Sequence, residues 1–211
     1  MGQKVNPLSY RMGVTATWKS KWYGKNEKYK EYLQEDHKIR EFVREKLAKA
    51  AIADIIIERS VNKVSVIIFA GRPGIIIGRA GSGIEEIKKQ LKTLLKAKTE
   101  LRLEIQEVKH PEANAILVGQ NIAEQIEKRT AYRRALKQAI EKVMQSKEVK
   151  GVKIMLSGRL DGNEIARREW LAKGKIPLQT LRSNIDFARV NAYTTYGVIG
   201  IKIWIYKGEV V

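Results

Sequence analysis

The segment GRPGIIIGRAGSGIEEI, Gly71 to Ile87, places five glycines between Gly71 and Gly83 and then returns to apolar residues at helical spacing. Two GxxG strings lie within it, Gly71-Arg72-Pro73-Gly74 and Gly78-Arg79-Ala80-Gly81. The second has the more telling surroundings. Ile75, Ile76 and Ile77 read as a short buried helix ahead of it, and Ile84, Ile87, Leu91, Leu94 and Leu95 mark a longer helix behind it. A helix–GxxG–helix joint exposes backbone N–H groups at a helix start and omits the side chains that block a phosphodiester backbone. GxxG alone is a common spacing, and the bland reading is a pair of tight turns. Other glycine loops fail on spacing. From Gly78 a P-loop requires Gly83 followed by Lys and then Ser or Thr, but Ile84 and Glu85 stand there; a dinucleotide fingerprint from Gly81 requires glycine where Glu86 stands.

Upstream of the loop, Ile39, Phe42, Val43, Leu47 and Ala50 recur at helical spacing over His37 to Ala51, with Asp36 placed to cap the start. Ile52 to Arg59 and Lys63 to Ala70 are rich in Ile and Val and read as two strands about the turn Ser60 to Asn62. Downstream, Leu101 to Val108 alternates as a strand and Pro111 closes it. Beyond Pro111 the pattern predicts two helices, about Glu112 to Lys128 and Thr130 to Ser146. Four strands follow: Val152 to Ser157, Arg167 to Lys173, about Asn184 to Thr194, and Val198 to Lys207. The fold class is α+β: one domain in the order α-β-β-α-α-β, then a second made of two helices and a four-stranded sheet. Residues 1–24 mix glycine, proline, aromatics and cations without a period and predict an extended N-terminal arm that orders on a partner, with Lys4 and Arg11 against phosphate. The predicted domains are therefore 1–24, 25–110 and 111–211.

Composition points to the partner. The chain of 211 residues has 41 Lys+Arg against 23 Asp+Glu, a net charge of +18. The excess is spread, with 23 cations against 13 acids in residues 1–109 and 18 against 10 in the remainder. Charge of that size and spread implies a polyanionic partner for both halves. Cysteine is absent, which excludes disulfides, thiolate zinc sites, iron–sulfur clusters and cysteine nucleophiles. The first 30 residues hold no apolar run of seven, so no secretory signal is predicted, and no apolar run approaches a bilayer span. An intracellular, cytoplasmic protein is expected.

The string Tyr132-Arg133-Arg134-Ala135-Leu136-Lys137 falls on the second of the later helices, whose apolar stripe runs through Ala135, Leu136, Ala139, Ile140 and Val143. Arg129, Arg133 and Lys137 follow at intervals of four and predict one row, with Arg134 beside it and no carboxylate on the row. Such a ridge attracts the phosphates of a passing strand; a solvated helix face is the alternative. Trp18, Trp22, Tyr23 and Tyr29 interleave with Lys19, Lys21, Lys25 and Lys28 and are read as anchors that pin the arm to protein, with stacking on bases as the alternative.

Residues His37 to Val108, with their order and the GxxG joint, resemble a type II KH domain. In that family the loop clamps the backbone of about four nucleotides, which implicates Gly78, Arg79, Ala80 and Gly81. Many members carry basic residues at both middle positions, so Ala80 removes one phosphate contact. The opening MGQKVNP, Arg72-Pro73-Gly74, the string from Tyr132 to Lys137, Ser157-Gly158-Arg159-Leu160 through Ile165-Ala166-Arg167, and Thr194 to Gly200 together resemble the bacterial small ribosomal subunit protein three family. The resemblance implies a structural constituent of the ribosomal head that binds ribosomal RNA and lines the entrance channel for messenger RNA. It implies Arg133, Arg134 and Lys137 as channel cations that assist messenger unwinding, and Lys4, Arg11, Arg129, Arg159 and Arg167 as further ribosomal RNA contacts. It also implies small-subunit proteins ten, fourteen and two as neighbours, with four and five around the channel. No catalytic residue, metal or cofactor is expected. The remaining alternatives are a free KH-type regulator or ribosome assembly factor, and a metal-dependent nuclease using Asp54 with Glu58 or Asp161 with Glu164.

Overall fold

The computed structural model describes residues 4–60, 63–78, 81–95 and 100–210. It divides the chain into two units, Trp18–Lys109 and a second made of Met1–Thr17 with His110–Val211. The arm expected over residues 1–24 is thus split between them. Its first part turns through α1 (Pro7–Tyr10), where the Asn6 side chain accepts from the Leu8 N–H at 2.9 Å. Its later part contributes β1 (Ser20–Lys21) to the other unit.

In residues 18–109 the order is β1, α2 (Glu27–Lys46), β2 (Ile52–Arg59), β3 (Lys63–Ala70), α3 (Pro73–Ile77), α4 (Ser82–Leu94) and β4 (Glu100–Glu107). The sheet runs β1-β2-β3-β4, with β2 and β3 antiparallel and β1 and β4 parallel to their neighbours. Burial in β3 alternates strictly, so Val64, Val66 and Ile68 join Ile39 and Val43 of α2, Ile76 of α3 and Leu91 of α4 in one core. This is the type II KH arrangement.

Asp36 is not a cap. The α2 helix begins ten residues before the predicted start at His37, and Asp36 lies buried within it. Its Oδ1 accepts from Arg59 Nε (2.9 Å) and Nη2 (2.6 Å), and its Oδ2 accepts from Ser20 Oγ (2.9 Å) and Trp22 Nε1 (2.8 Å). A buried carboxylate is tolerated because all these donors satisfy it. The early turns of α2 show no apolar stripe because aromatics hold them instead: Trp22 packs on Tyr29 and Tyr32 with ring centroids 5.4 and 5.5 Å apart. Trp22 packs as an anchor, whereas Trp18, Tyr23 and Tyr29 are exposed, Tyr29 having only the Trp22 ring as an aromatic contact among the described residues.

The second unit follows with α5 (Ala115–Glu127), α6 (Tyr132–Gln145), β5 (Gly151–Gly158), β6 (Arg167–Gly174), β7 (Ser183–Thr194) and β8 (Gly197–Glu209). Asn114 caps α5, accepting from the N–H groups of Ile116 and Leu117, and Asp186 of β7 accepts from the Ala115 N–H at 2.8 Å. The sheet is antiparallel in the order β6-β5-β8-β7. Ile154, Leu156, Ala188, Ala192, Ile201 and Ile203 point from it into a core shared with Ile122 and Ile126 of α5 and Leu136, Ile140 and Val143 of α6.

Arg11 closes this unit. Only 1% of it is exposed. Its Nε donates to the Ser183 carbonyl (2.8 Å), Nη1 to Pro7 (3.1 Å), and Nη2 to Thr180 (2.8 Å), Leu178 (2.9 Å) and Pro177 (3.3 Å). Burial pushes its guanidinium below the ordinary value, with Tyr10 opposing. The expectation that Arg11 lies against phosphate is therefore corrected: every nitrogen of its fork already serves a backbone carbonyl, inside the protein.

Candidate nucleic-acid interface

Two features singled out by the sequence, the glycine joint and the cationic helix, stand on separate units. In the KH unit, α3 ends at Gly78, with φ +69°, and α4 starts after Gly81, with φ +82°. These left-handed values favour glycine at both positions of the motif. Gly81 is the N-cap of the thirteen-residue α4 and makes no side-chain cap hydrogen bond. Arg72 is exposed beside the joint. Arg79 and Ala80 lie outside the described residues. Gly83 was singled out by no motif, yet a Cβ there would sit 2.5 Å from the Ile76 carbonyl oxygen; it is what lets α4 close against α3.

The second feature is the start of α6. Tyr132 is buried at its first position, and its hydroxyl donates to Glu169 Oε1 of β6 at 2.7 Å while accepting from Arg133 Nε at 3.0 Å. The bond to Glu169 pushes the Tyr132 phenol above its usual value, Arg133 opposing, and Tyr132 in turn raises Arg133. Arg133 Nη2 stands 3.6 Å from Glu169 and remains largely exposed. The row is thus not free of carboxylates: Glu169 steers its first arginine, a pairing invisible to helix spacing because it comes from the sheet. Arg134 and Lys137 are exposed, and neither has an ion-pair partner among the described residues.

Arg129 does not continue this row. It sits between α5 and α6 with φ +60°, off the helix. It lines a cleft of about 430 Å³ with Arg159, Asp161, Tyr193 and Tyr196. Arg159 donates from Nε to the Asn163 carbonyl at 3.0 Å, and its guanidinium lies 5.9 Å from the Tyr196 ring centroid. Arg167 opens β6, exposed, opposite Gly158, and Lys4 is exposed in the N-terminal segment.

The pairs weighed for a metal have other roles or none. Asp54 and Glu58 each meet a lysine at 2.9 Å, Lys19 and Lys21 respectively. Among the described residues no group of three or more His, Asp and Glu side chains converges for a metal, and no helix is long and apolar enough to cross a membrane.

Residues 38–113 match the KH domain family, and residues 122–205 match the family described as ribosomal protein S3, C-terminal domain. Over 210 residues the chain is 50% identical to the small ribosomal subunit protein uS3 of Caldicellulosiruptor saccharolyticus, covering 100% of this chain and 94% of that one. It is 47% identical over 210 residues to uS3c of Pyropia yezoensis, covering 100% and 91%, and 48% identical over 209 residues to uS3 of Persephonella marina, covering 99% and 91%. With half of its residues shared along its whole length and both domains in sequence, the chain belongs to the ribosomal protein S3 family of the small ribosomal subunit.

Proposed function

We propose that the protein is a non-enzymatic, RNA-binding structural constituent of the small ribosomal subunit, lodged in its head and lining the channel through which messenger RNA enters. The observation that carries this reading is the exposed α6 ridge, where Arg134 and Lys137 have no ion-pair partner among the described residues and Arg133 is aimed by Tyr132 and Glu169. Cations held on a rigid helix attract one phosphate backbone and oppose its return to a duplex, so translocation can separate a hairpin without a bound nucleotide. In the KH unit the Gly78–Gly81 joint offers helix-start N–H groups to a second backbone segment. Lys4, Arg129 and Arg167 add exposed charge for ribosomal RNA, and the half-buried Arg159 adds its charge beside Arg129. Proteins ten, fourteen and two of the small subunit are the neighbours this placement implies in the head, with four and five at the channel. The test replaces Arg133, Arg134 and Lys137 together by Ala in ribosomes. Elongation through a stable hairpin should slow relative to unstructured message; equal slowing, or none, on both templates removes the channel assignment.

A further inference from the structure

The second sheet has two faces, and its charges are sorted between them. Along β5, Val152, Ile154 and Leu156 are buried in the core, so Lys153, Met155 and Ser157 alternate to the other side. The ladder carries that parity across the sheet. Met155 stands opposite Trp170 of β6 and Lys202 of β8, and Lys202 opposite Arg189 of β7. In the next row Ser157 faces Arg168 and Gly200, with Asn191 beyond. In the row on the other side Lys153 faces Ala172 and Trp204, with Phe187 beyond. None of these twelve positions is acidic. The neighbouring carboxylates go to the helix side instead, where Glu169 accepts from Tyr132 of α6 and Asp186 from the start of α5.

This face thus carries four cations uncompensated by acids of their own rows, with two indoles among them; its Phe187 end is covered, that residue being only 6% exposed, and the open part is the rows of Met155 and Ser157. Trp170 is 59% exposed, on the edge strand β6. Lys153 Nζ lies 4.5 Å from the Trp170 ring centroid and 5.7 Å from that of Trp204. Burial, and secondarily the nearness of Lys4, push the Lys153 ammonium below its ordinary value.

We propose that this open sheet face is an RNA-binding platform, on which one unpaired base stacks on Trp170 while adjoining phosphates lie on Arg168, Lys202 and Arg189. The proposal rests on the RNA-binding reading above and adds a surface separate from the KH joint and the α6 ridge. Charge selects the occupant. A second copy of the chain brings +18 against +18, whereas a nucleic acid strand supplies the anions that these rows lack and the bases that stack on an exposed indole. Stacking on an exposed aromatic tolerates any base, so the platform recognises single-stranded character rather than sequence.

The test uses the full chain and a fluorescein-labelled oligouridylate, with anisotropy followed over a salt series. Trp170→Ala should weaken binding by roughly five- to a hundredfold, with little change in salt slope. Combined Arg168→Gln, Arg189→Gln and Lys202→Gln should lower the slope by about 2, at about 0.7 per phosphate released from a single strand. Circular dichroism checks the fold, and should Trp170→Ala disturb it, the glutamine set decides alone. Unchanged affinity and slope in these variants, with a loss on combined Arg133→Gln, Arg134→Gln and Lys137→Gln, overturns the platform, gives the face to a protein partner and leaves RNA binding standing. Wild-type chain that binds the probe no better than labelled polyglutamate overturns both.

Discussion

Arg11 illustrates how far one side chain's role depends on partners distant in sequence. Four of the five carbonyls it serves lie between Pro177 and Ser183. Replacing it with Ala leaves buried acceptors without donors, and the expected cost is about 3 kcal/mol. Urea unfolding monitored by circular dichroism measures this; a loss below about 0.5 kcal/mol would show that water takes over the carbonyls. Nothing near Arg11 in sequence distinguishes it from Lys4, so sequence alone assigns both to phosphate. The same holds for Asp36, whose place before an apolar stripe imitates a cap while its partners Ser20, Trp22 and Arg59 come from other elements. Charged residues reveal their type in the sequence but not their company.

At the scale of elements the sequence was far more legible, because burial imposes a period. Strands β2 and β3 fall within the residues their Ile and Val runs predict, and α4 follows its leucine spacing to within a residue at its end. The KH joint was legible through its glycines, and α6 through its apolar stripe. Arg129 was misplaced because the spacing of four continues across a break that only a left-handed backbone reveals. The joint also yields a paired prediction. A Cβ at Gly83 meets the Ile76 carbonyl oxygen at 2.5 Å, whereas one at Gly74 meets nothing within 4 Å. Gly83→Ala should therefore destabilise the KH unit by about 1–3 kcal/mol, and Gly74→Ala in the first turn of α3 should be neutral or stabilise it by up to about 0.5 kcal/mol. Thermal melts that rank the two variants the other way would show that the joint is not held by this close approach.

Over the whole molecule the chain is not cut into consecutive domains. The KH unit is one continuous stretch with its own core, while the other unit is assembled from both ends of the chain. A fragment of residues 18–109 should thus melt cooperatively by itself, whereas residues 110–211 alone should melt below the same unit supplied with residues 1–17. Calorimetry of the fragments decides this, and a non-cooperative trace for residues 18–109 would mean that its core is insufficient.

The guanidinium clasp between Arg11 and Ser183 also sets a timetable for biosynthesis. The two residues are separated by 172 positions. At about 5–20 residues per second, roughly 9–34 s pass between the making of Arg11 and the appearance of its last acceptor. The KH unit is complete well before then, so the Arg11 fork is satisfied only after α5, α6, β5 and β6 of its own unit have been made.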